Sequence, residues 1–454
     1  MARALGNSRP FAWRGLVEFG ALSAFEDARS LAALRIVVAL LLVISPELQQ
    51  AESLAAQPQL LQFVPEAAGW LAGLHLTPSA AHVLKLIALS SGALAILGFH
   101  SRTALGVLTC SALPLYALSQ FSGTVLHDMH LFWFSALLAV SPCADVWALD
   151  SWGQPQKRTA AAYGIPATLC RALLGVVYFF PGLHKLTEAG WSWGTAPHMI
   201  AQMHAKWFQM AELPWVRVDR YPLLCAWGGH AVPLFELGFL PLACWRRTRP
   251  LAACMGLAFH WATQAFFFIP FISLWACYVM LAPWSSWLRG RRAIPAHDQL
   301  SAPRAKAALP ALVVGVPLLA LAAIQGVRGH TQAWPVACYP TFAGIVGNAL
   351  PDVLVETEAP NGELLRFTGR ELTPRSQAEW GRVFRISGAY GGPPALAALR
   401  EHAISSARQA GVTLTRGAEV RVYRAQYATA PELWHSAPLS STLLTTFRFE
   451  PTER

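Results

Sequence analysis

The sequence predicts a mainly α-helical fold, a polytopic membrane bundle of about nine spans followed by a small α+β domain outside the membrane. Three observations predict it. Hydrophobic residues make up 54% of the chain and charged residues 13%, against about 25% charge in a typical soluble domain. Nine apolar segments approach the roughly 20 residues that cross a bilayer. The 18 Trp residues suit the aromatic belts found at lipid headgroups.

The apolar segments define the predicted spans. The seventh and eighth are joined by a very short turn at Pro270 and are also compatible with a re-entrant pair. A shorter apolar piece near 63–76 is broken by Pro65 and is expected at the interface. A cleaved signal peptide is not expected, because the leader is too long and Arg35 interrupts the first apolar segment. The spans are 30–48, 80–99, 103–121, 125–147, 163–183, 222–244, 250–267, 269–285 and 307–325.

The distribution of Lys and Arg among the short loops predicts the orientation. Placing the N-terminus inside puts the basic loops at 100–102, 157–158, 246–249 and 289–306 inside as well, as the positive-inside tendency requires. We therefore expect an inner or cytoplasmic membrane location. The predicted divisions are a cytoplasmic N-terminal segment 1–29, a transmembrane domain 30–326 and an extracytoplasmic domain 327–454.

The last hundred residues are different in kind. The stretch 352–372 is typical of a hairpin around Asn361-Gly362, a strong turn signal. Residues 395–409 have helical periodicity, and 419–426 and 445–450 alternate with the period of a strand. These patterns predict a small α+β domain packed on the outer face of the bundle.

Charge and cysteine content exclude two classes of function. The net charge is +10, but no basic stripe with interleaved aromatic residues is present, so nucleic acid is not an expected partner. The eight Cys are scattered without a CxxC pair, which argues against a disulfide framework and a zinc site. Cys338, His402 and His435 are isolated in the tail, and no bound metal is predicted.

Lys185 is the most informative residue, because it ends the strongly apolar stretch 172–183. An ionisable side chain at membrane depth is costly and indicates a functional site. A lysine held there can be driven neutral, and a neutral lysine is a base. The alternative is a lysine that anchors a helix end by reaching the interface.

Other polar residues are expected at a similar depth on neighbouring spans. His127 and His130 are three apart, and His260 and Gln264 are four apart, so each pair shares a helix face. With Lys185 these groups are expected to converge on one outward-facing cavity, with Glu236 deeper. The alternatives are histidines satisfied within a core and a metal held by His-x-x-His with Asp128, although no known zinc spacing is present.

Four stretches in order resemble the membrane domain of vitamin K-dependent γ-glutamyl carboxylases, the HTTM family. They are the helix entry at 28–36, the stretch from His130 to Asp150, the run 178–186 with Trp191 downstream, and the later helices from Phe235 to Ser273. The likeness covers about residues 15–290. Two features depart from the family pattern: His184 stands where the carboxylases have a second lysine, and the usual acidic run does not follow Lys185.

The resemblance implies a site and a chemistry. Lys185 would match the family's base, His130 a histidine beside the reaction centre, and His260 and Glu236 polar positions on later helices. The implied cofactor is a reduced vitamin K of the menaquinol type, with O2 and CO2 as co-substrates. Residues expected around the cofactor are His127, Trp133, His184, Trp191, Glu236 and Gln264.

Three functional classes follow from these features. The first is a membrane oxidoreductase or carboxylase, with membrane lipid as its surroundings and a peptide or protein substrate on the outer face. The second is a non-catalytic quinone- or lipid-binding protein or an assembly factor. The third is a transporter, which is disfavoured because no inverted repeat of Gly- or Pro-broken spans is visible.

Overall fold

The computed structural model describes residues 26–56, 76–121, 127–154, 161–287, 302–329, 333–336, 342–358, 362–372 and 393–450. Most of the interfacial piece near 63–76, the loops at 157–158 and 289–301, Asn361 and Cys338 lie outside these ranges. A helical bundle precedes a four-stranded sheet. The helices are α1 Ala28–Ile44, α2 Pro46–Gln49, α3 Ala51–Ala55, α4 Pro78–Leu97, α5 Ser101–Phe121, α6 Met129–Ala139, α7 Ala161–Glu188, α8 Ala196–Met210, α9 Pro222–Cys244, α10 Arg249–Phe267, α11 Ile272–Ala276, α12 Trp284–Trp287, α13 Ala302–Arg328 and α14 Pro393–Gln409.

Within the described residues, five helices are long and apolar enough to cross a membrane: α4, α5, α7, α9 and α13. The chain is therefore a multi-pass membrane protein, but the predicted count of nine spans is not confirmed. A helix lies in each predicted span, yet several are short. The helix in the first predicted span has 17 residues, and the helix in the fourth has only 11. A helix of 11 residues is about 17 Å long at roughly 1.5 Å per residue. The eighth is divided between α11 and a 3-10 helix, Cys277–Leu281.

Helix α7 is the centre of the bundle. In the apolar window of α7, 78% of the residues are buried, against 28% in α4 and 22% in α13, so α4 and α13 present most of their surface outward. Two glycines bring α7 close to α9. A Cβ on Gly175 would lie 3.0 Å from Leu240 Cα, and one on Gly182 would lie 2.8 Å from Glu236 Cβ. Small residues allow such close helix approach in membranes.

The C-terminal region forms an antiparallel sheet in the order β2-β1-β3-β4. The predicted hairpin is present, because β1 and β2 pair through Glu358 and Leu364, with Gly362 at a φ of +80° between them. The predicted helix and both predicted strands are also present, as α14, β3 and β4. The strands are β1 Ala349–Glu358, β2 Leu364–Thr368, β3 Glu419–Ala428 and β4 Ser440–Arg448.

The two faces of the sheet have different partners. Val353 and Val355 of β1 pack in the cluster that includes α14. Leu354, between them, points to the other face and packs with Phe208 of α8 and Tyr427 of β3, as the alternation of a strand requires. The sheet therefore rests on α8, a helix of the segment between α7 and α9. The predicted domain boundaries stay predictions.

Candidate functional site

A cavity of about 110 Å³ lies among α6, α7, α8, α9, α10 and α11. Its walls are mostly apolar and aromatic, with polar groups contributed by several helices. This mixture is typical of sites for small organic ligands. The polar lining residues are His127, His130, Tyr178, Lys185, Gln202, Glu236, His260 and Thr263, and the aromatic ones include Trp133, Trp193, Phe259, Phe267, Phe271 and Phe342.

Lys185 and Glu236 form a buried ion pair on the cavity wall. Nζ of Lys185 lies 2.8 Å from each carboxylate oxygen of Glu236, and the residues are 2% and 5% exposed. The close approach of α7 to α9 at Gly182, one turn before Lys185, brings the two side chains together. Lys185 is thus held inside the protein, whereas an anchoring lysine would be exposed at the end of its helix.

The ring of Trp193 lies against the lysine on the cavity wall. Nζ of Lys185 lies 5.1 Å from the centroid of the Trp193 ring, a distance at which an aromatic face attracts a cation. The indole Nε1 of Trp193 donates to the carbonyl of Phe342, 2.7 Å away. A residue of the segment before the sheet thereby helps to close the cavity.

A second polar group is built from Tyr178, His260 and Tyr278. The Tyr178 hydroxyl lies 2.5 Å from Nε2 of His260 and 2.6 Å from the Tyr278 hydroxyl. Nδ1 of His260 is buried without a hydrogen-bond partner. When Tyr178 donates to Nε2, Nδ1 carries the ring proton and is a free donor. The Tyr178 hydroxyl, itself bonded to Tyr278, therefore fixes the orientation of the His260 ring on the cavity wall.

His130 reaches the cavity, and each of its ring nitrogens lies near a backbone carbonyl, to one of which a neutral ring donates. Nε2 lies 3.0 Å from the carbonyl oxygen of Ser273, and Nδ1 lies 3.2 Å from that of His127. The adjacent Asp128 accepts a hydrogen bond from the Ser273 hydroxyl. These bonds tie α6 to α11. His130 and Asp128 thus both contact Ser273 at the start of α11.

The structure places three predicted residues away from the cavity lining. His184 Nε2 lies 2.7 Å from the carbonyl oxygen of Gly326, so this histidine faces α13. Trp191 is 59% exposed and contacts the ring of His230. Gln264 is exposed, and its neighbour Thr263 lines the wall. The other six predicted residues, Lys185, His130, His260, His127, Trp133 and Glu236, line the cavity.

Several lining residues were not among the predicted site residues. Tyr178 precedes Lys185 by seven residues, two helical turns, and this periodicity alone would have placed it on the same face of α7. Met199 and Gln202 come from α8, which lies between the predicted spans 163–183 and 222–244. His198 of α8 is within 3.3 Å of Gln202, and burial lowers the pKa of His198.

A family model of the HTTM domain matches residues 24–287, more than half of the chain. The chain belongs to the HTTM family. The match includes Lys185, Glu236 and His260, and HTTM is the family of vitamin K-dependent carboxylase-like membrane proteins. Helix α13 and the sheet lie outside the matched residues. No curated protein and no solved structure matches this HTTM protein.

Proposed function

We propose that this HTTM protein is an integral membrane enzyme that uses Lys185 as a base on a reduced quinone, coupled to carboxylation or a related oxidation. The observation that carries the proposal is the buried pair of Lys185 and Glu236 on the wall of a largely apolar cavity. Ionisable groups kept in a membrane interior usually serve binding or reaction. Membership of the family supports the same chemistry.

The lining residues fit a reduced naphthoquinone such as a menaquinol-type vitamin K. Aromatic side chains offer surfaces for a flat ring, and the unpartnered Nδ1 of His260 offers a hydrogen bond to a ring oxygen. Lys185 would contact the second ring oxygen of the quinol. When bound, the quinol would supply the reducing equivalents that, with O2, generate a base strong enough for carboxylation by CO2.

The chain's own residues supply binding and proton handling. Glu236 contacts Nζ with both oxygens, so a proton can pass from Lys185 to Glu236 without leaving the pair. The amine that remains after this transfer is neutral and can act as a base. The aromatic walls exclude water, which would otherwise quench a stronger base.

We also propose that the cavity lies on the outer side of the membrane and that the N-terminus is cytoplasmic. The basic turn at 246–249 follows the end of α9, whereas α8 and the sheet lie near the other end of the bundle's central helices. This orientation satisfies the positive-inside tendency. A peptide or protein substrate would then approach from the side that carries the sheet.

The decisive experiment is oxygen uptake by the purified protein in nanodiscs with reduced vitamin K. We expect uptake with epoxide formation in the wild type and its loss in Lys185→Ala. Lys85→Ala is the matched control, because Lys85 lies on α4 and pairs with Glu52, outside the cavity lining. Full activity of folded Lys185→Ala would reject Lys185 as the base.

One observation favours a non-catalytic quinone- or lipid-binding role as the second candidate. Both oxygens of Glu236 hold Lys185, as a purely structural ion pair would. This role predicts quinone binding without oxygen uptake, and it predicts that Lys185→Arg, which keeps the charge, is tolerated. An assembly factor for an exported partner would behave in the same way, whereas a transporter would move the ligand across the bilayer.

A further inference from the structure

A second buried charge cluster lies far from the cavity, at the opposite end of α7. Arg171 of α7 and Arg249 at the start of α10 both contact Glu26, which precedes α1. Arg171 is fully buried, and Arg249 and Glu26 are 7% and 8% exposed. Arg171 stands 14 residues before Lys185, about 21 Å along the helix at roughly 1.5 Å per residue.

Among the described residues, the cluster contains one more cation than anion. Nη1 of Arg171 and Nη1 of Arg249 lie 2.9 and 2.8 Å from the same oxygen of Glu26. The other oxygen of Glu26 accepts from the Ser30 hydroxyl. The nearby Asp27 lies 3.6 Å from Arg29, so that carboxylate has its own cation. An uncompensated buried charge is strongly unfavourable.

Donor groups remain unused in this cluster. Nε of Arg171 and Nε of Arg249 are both buried without a hydrogen-bond partner. The remaining nitrogen of Arg171, Nη2, donates to Thr168. A guanidinium has five N–H donors in a planar fork that matches the oxygens of a phosphate group. An anion with several acceptor oxygens would therefore pair with the unused donors and balance the surplus charge.

The position of the cluster suits the headgroup level of a bilayer. It lies where α9 ends at Cys244 and α10 begins at Arg249. The connecting turn exposes Arg246 and Arg247, and Trp245 is 59% exposed. Tryptophan and arginine are typical of the membrane interface, where anionic lipids attract basic segments.

We propose that Arg171 and Arg249 form a binding site for a phosphate group, carried by an anionic lipid headgroup or by a free phosphate ion. Bound phosphate would neutralise the surplus cation and accept from the unused Nε–H groups. It would also tie the start of α10 to α7. The site is independent of the cavity that contains Lys185.

The test is a titration of the full-length protein with phosphatidylglycerol, followed by native mass spectrometry in a neutral detergent. Phosphatidylcholine and inorganic phosphate are titrated separately. For Arg249→Gln we expect phosphatidylglycerol affinity to fall by about fivefold, the typical value of one cation near anionic headgroups. Arg246→Gln removes the same charge from the exposed turn and should keep wild-type affinity.

The outcomes separate the sources. Preference for phosphatidylglycerol over phosphatidylcholine, lost in Arg249→Gln only, supports a lipid site. Binding of inorganic phosphate with the same dependence on Arg249 supports a site for the free ion. No preference in the wild type, or equal losses in Arg249→Gln and Arg246→Gln, would overturn the proposal.

A stability measurement guards against a purely structural effect. Arg249→Gln leaves Arg171 and Glu26 as a neutral pair, so in phosphatidylcholine alone it should unfold at or above the wild-type temperature. Arg249→Lys keeps the charge without the fork and should bind phosphatidylglycerol with intermediate affinity. Two results together would show that the arginines only pack the helices. Arg249→Gln would be less stable than the wild type in phosphatidylcholine, and Arg249→Lys would bind phosphatidylglycerol with wild-type affinity.

Discussion

At the scale of single residues, the pair of Lys185 and Glu236 dominates the site. A charge buried without its partner is far less stable than a buried pair, whereas two apolar residues of similar volume replace such a pair at little cost. The stability of the pair and its chemistry can therefore be separated by substitution. Single substitutions test the balance of charge, and a double substitution tests the chemistry alone.

Glu236→Gln should destabilise the protein by about 3–5 kcal/mol, because Lys185 would keep its charge without a buried carboxylate. The double variant Lys185→Met with Glu236→Leu should recover most of that stability and still lack oxygen uptake. Thermal unfolding in nanodiscs measures the first effect, and the oxygen electrode measures the second. If Glu236→Gln unfolds at the wild-type temperature, the pair is not the stabilising contact we describe.

The sequence anticipated part of this site for a clear physical reason. Lys185 and Glu236 stand out in any apolar segment, because membrane interiors rarely retain charged side chains. Tyr278 did not stand out, since a tyrosine in an apolar segment resembles an ordinary interfacial aromatic residue. Its hydrogen bond to Tyr178 joins residues 100 positions apart in the chain, and such a contact is visible only in the fold.

At the scale of helices, the contact between α7 and α9 determines the position of the lysine. Apolar periodicity located both helices in the sequence. It did not locate α8, because that helix mixes polar and apolar residues and lies between two predicted spans. The short α6 shows the converse, since the described part of the predicted span 125–147 contains a helix of only 11 residues.

Gly182→Val should force α7 and α9 apart, because even a Cβ at this position would lie 2.8 Å from Glu236 Cβ and 3.2 Å from the Leu237 amide nitrogen. We expect a loss of about 1–3 kcal/mol in the free energy of unfolding, with reduced oxygen uptake. Gly106→Val on α5 is the control, as a Cβ at Gly106 meets no atom within 4 Å. Equal stability of the two variants would contradict the close packing.

At the scale of the whole molecule, the sheet is joined to the bundle through α8 and the turn before α9. Arg217 contacts Asp219 at 2.7 Å and Glu432 of the sheet region at 3.1 Å. Asp219 also lies 3.0 Å from His204 of α8. Alternation in the tail predicted the strands, but this connection depends on residues more than 200 positions apart and has no pattern in the sequence.

Asp219→Asn should weaken this connection in a pH-dependent way. Burial alone would raise the pKa of Asp219, but hydrogen bonds from Arg217 and His204 lower it to about 2, below the roughly 3.9 of an unfolded aspartate. The stabilisation is therefore complete above about pH 4 and is lost as the pH falls towards about 2. The variant should unfold at a lower temperature than the wild type at neutral pH.

The difference in unfolding temperature between the wild type and Asp219→Asn should shrink by about half at pH 3. Glu212→Gln, at an exposed position of the same segment, should show no such dependence. A difference that stays constant from neutral pH to pH 3 would show that the carboxylate charge does not hold the turn.

The opposite charges of Lys185 and Glu236 determine how ligand entry responds to the membrane potential. Because the pair has no net charge, an uncharged ligand can enter beside it without any counter-ion. Moving one elementary charge through the membrane potential involves about 2.3 kcal/mol per 100 mV, but a neutral ligand moves none. Loading of the cavity by such a ligand should therefore be electrically silent, and it should proceed equally in energised and de-energised membranes.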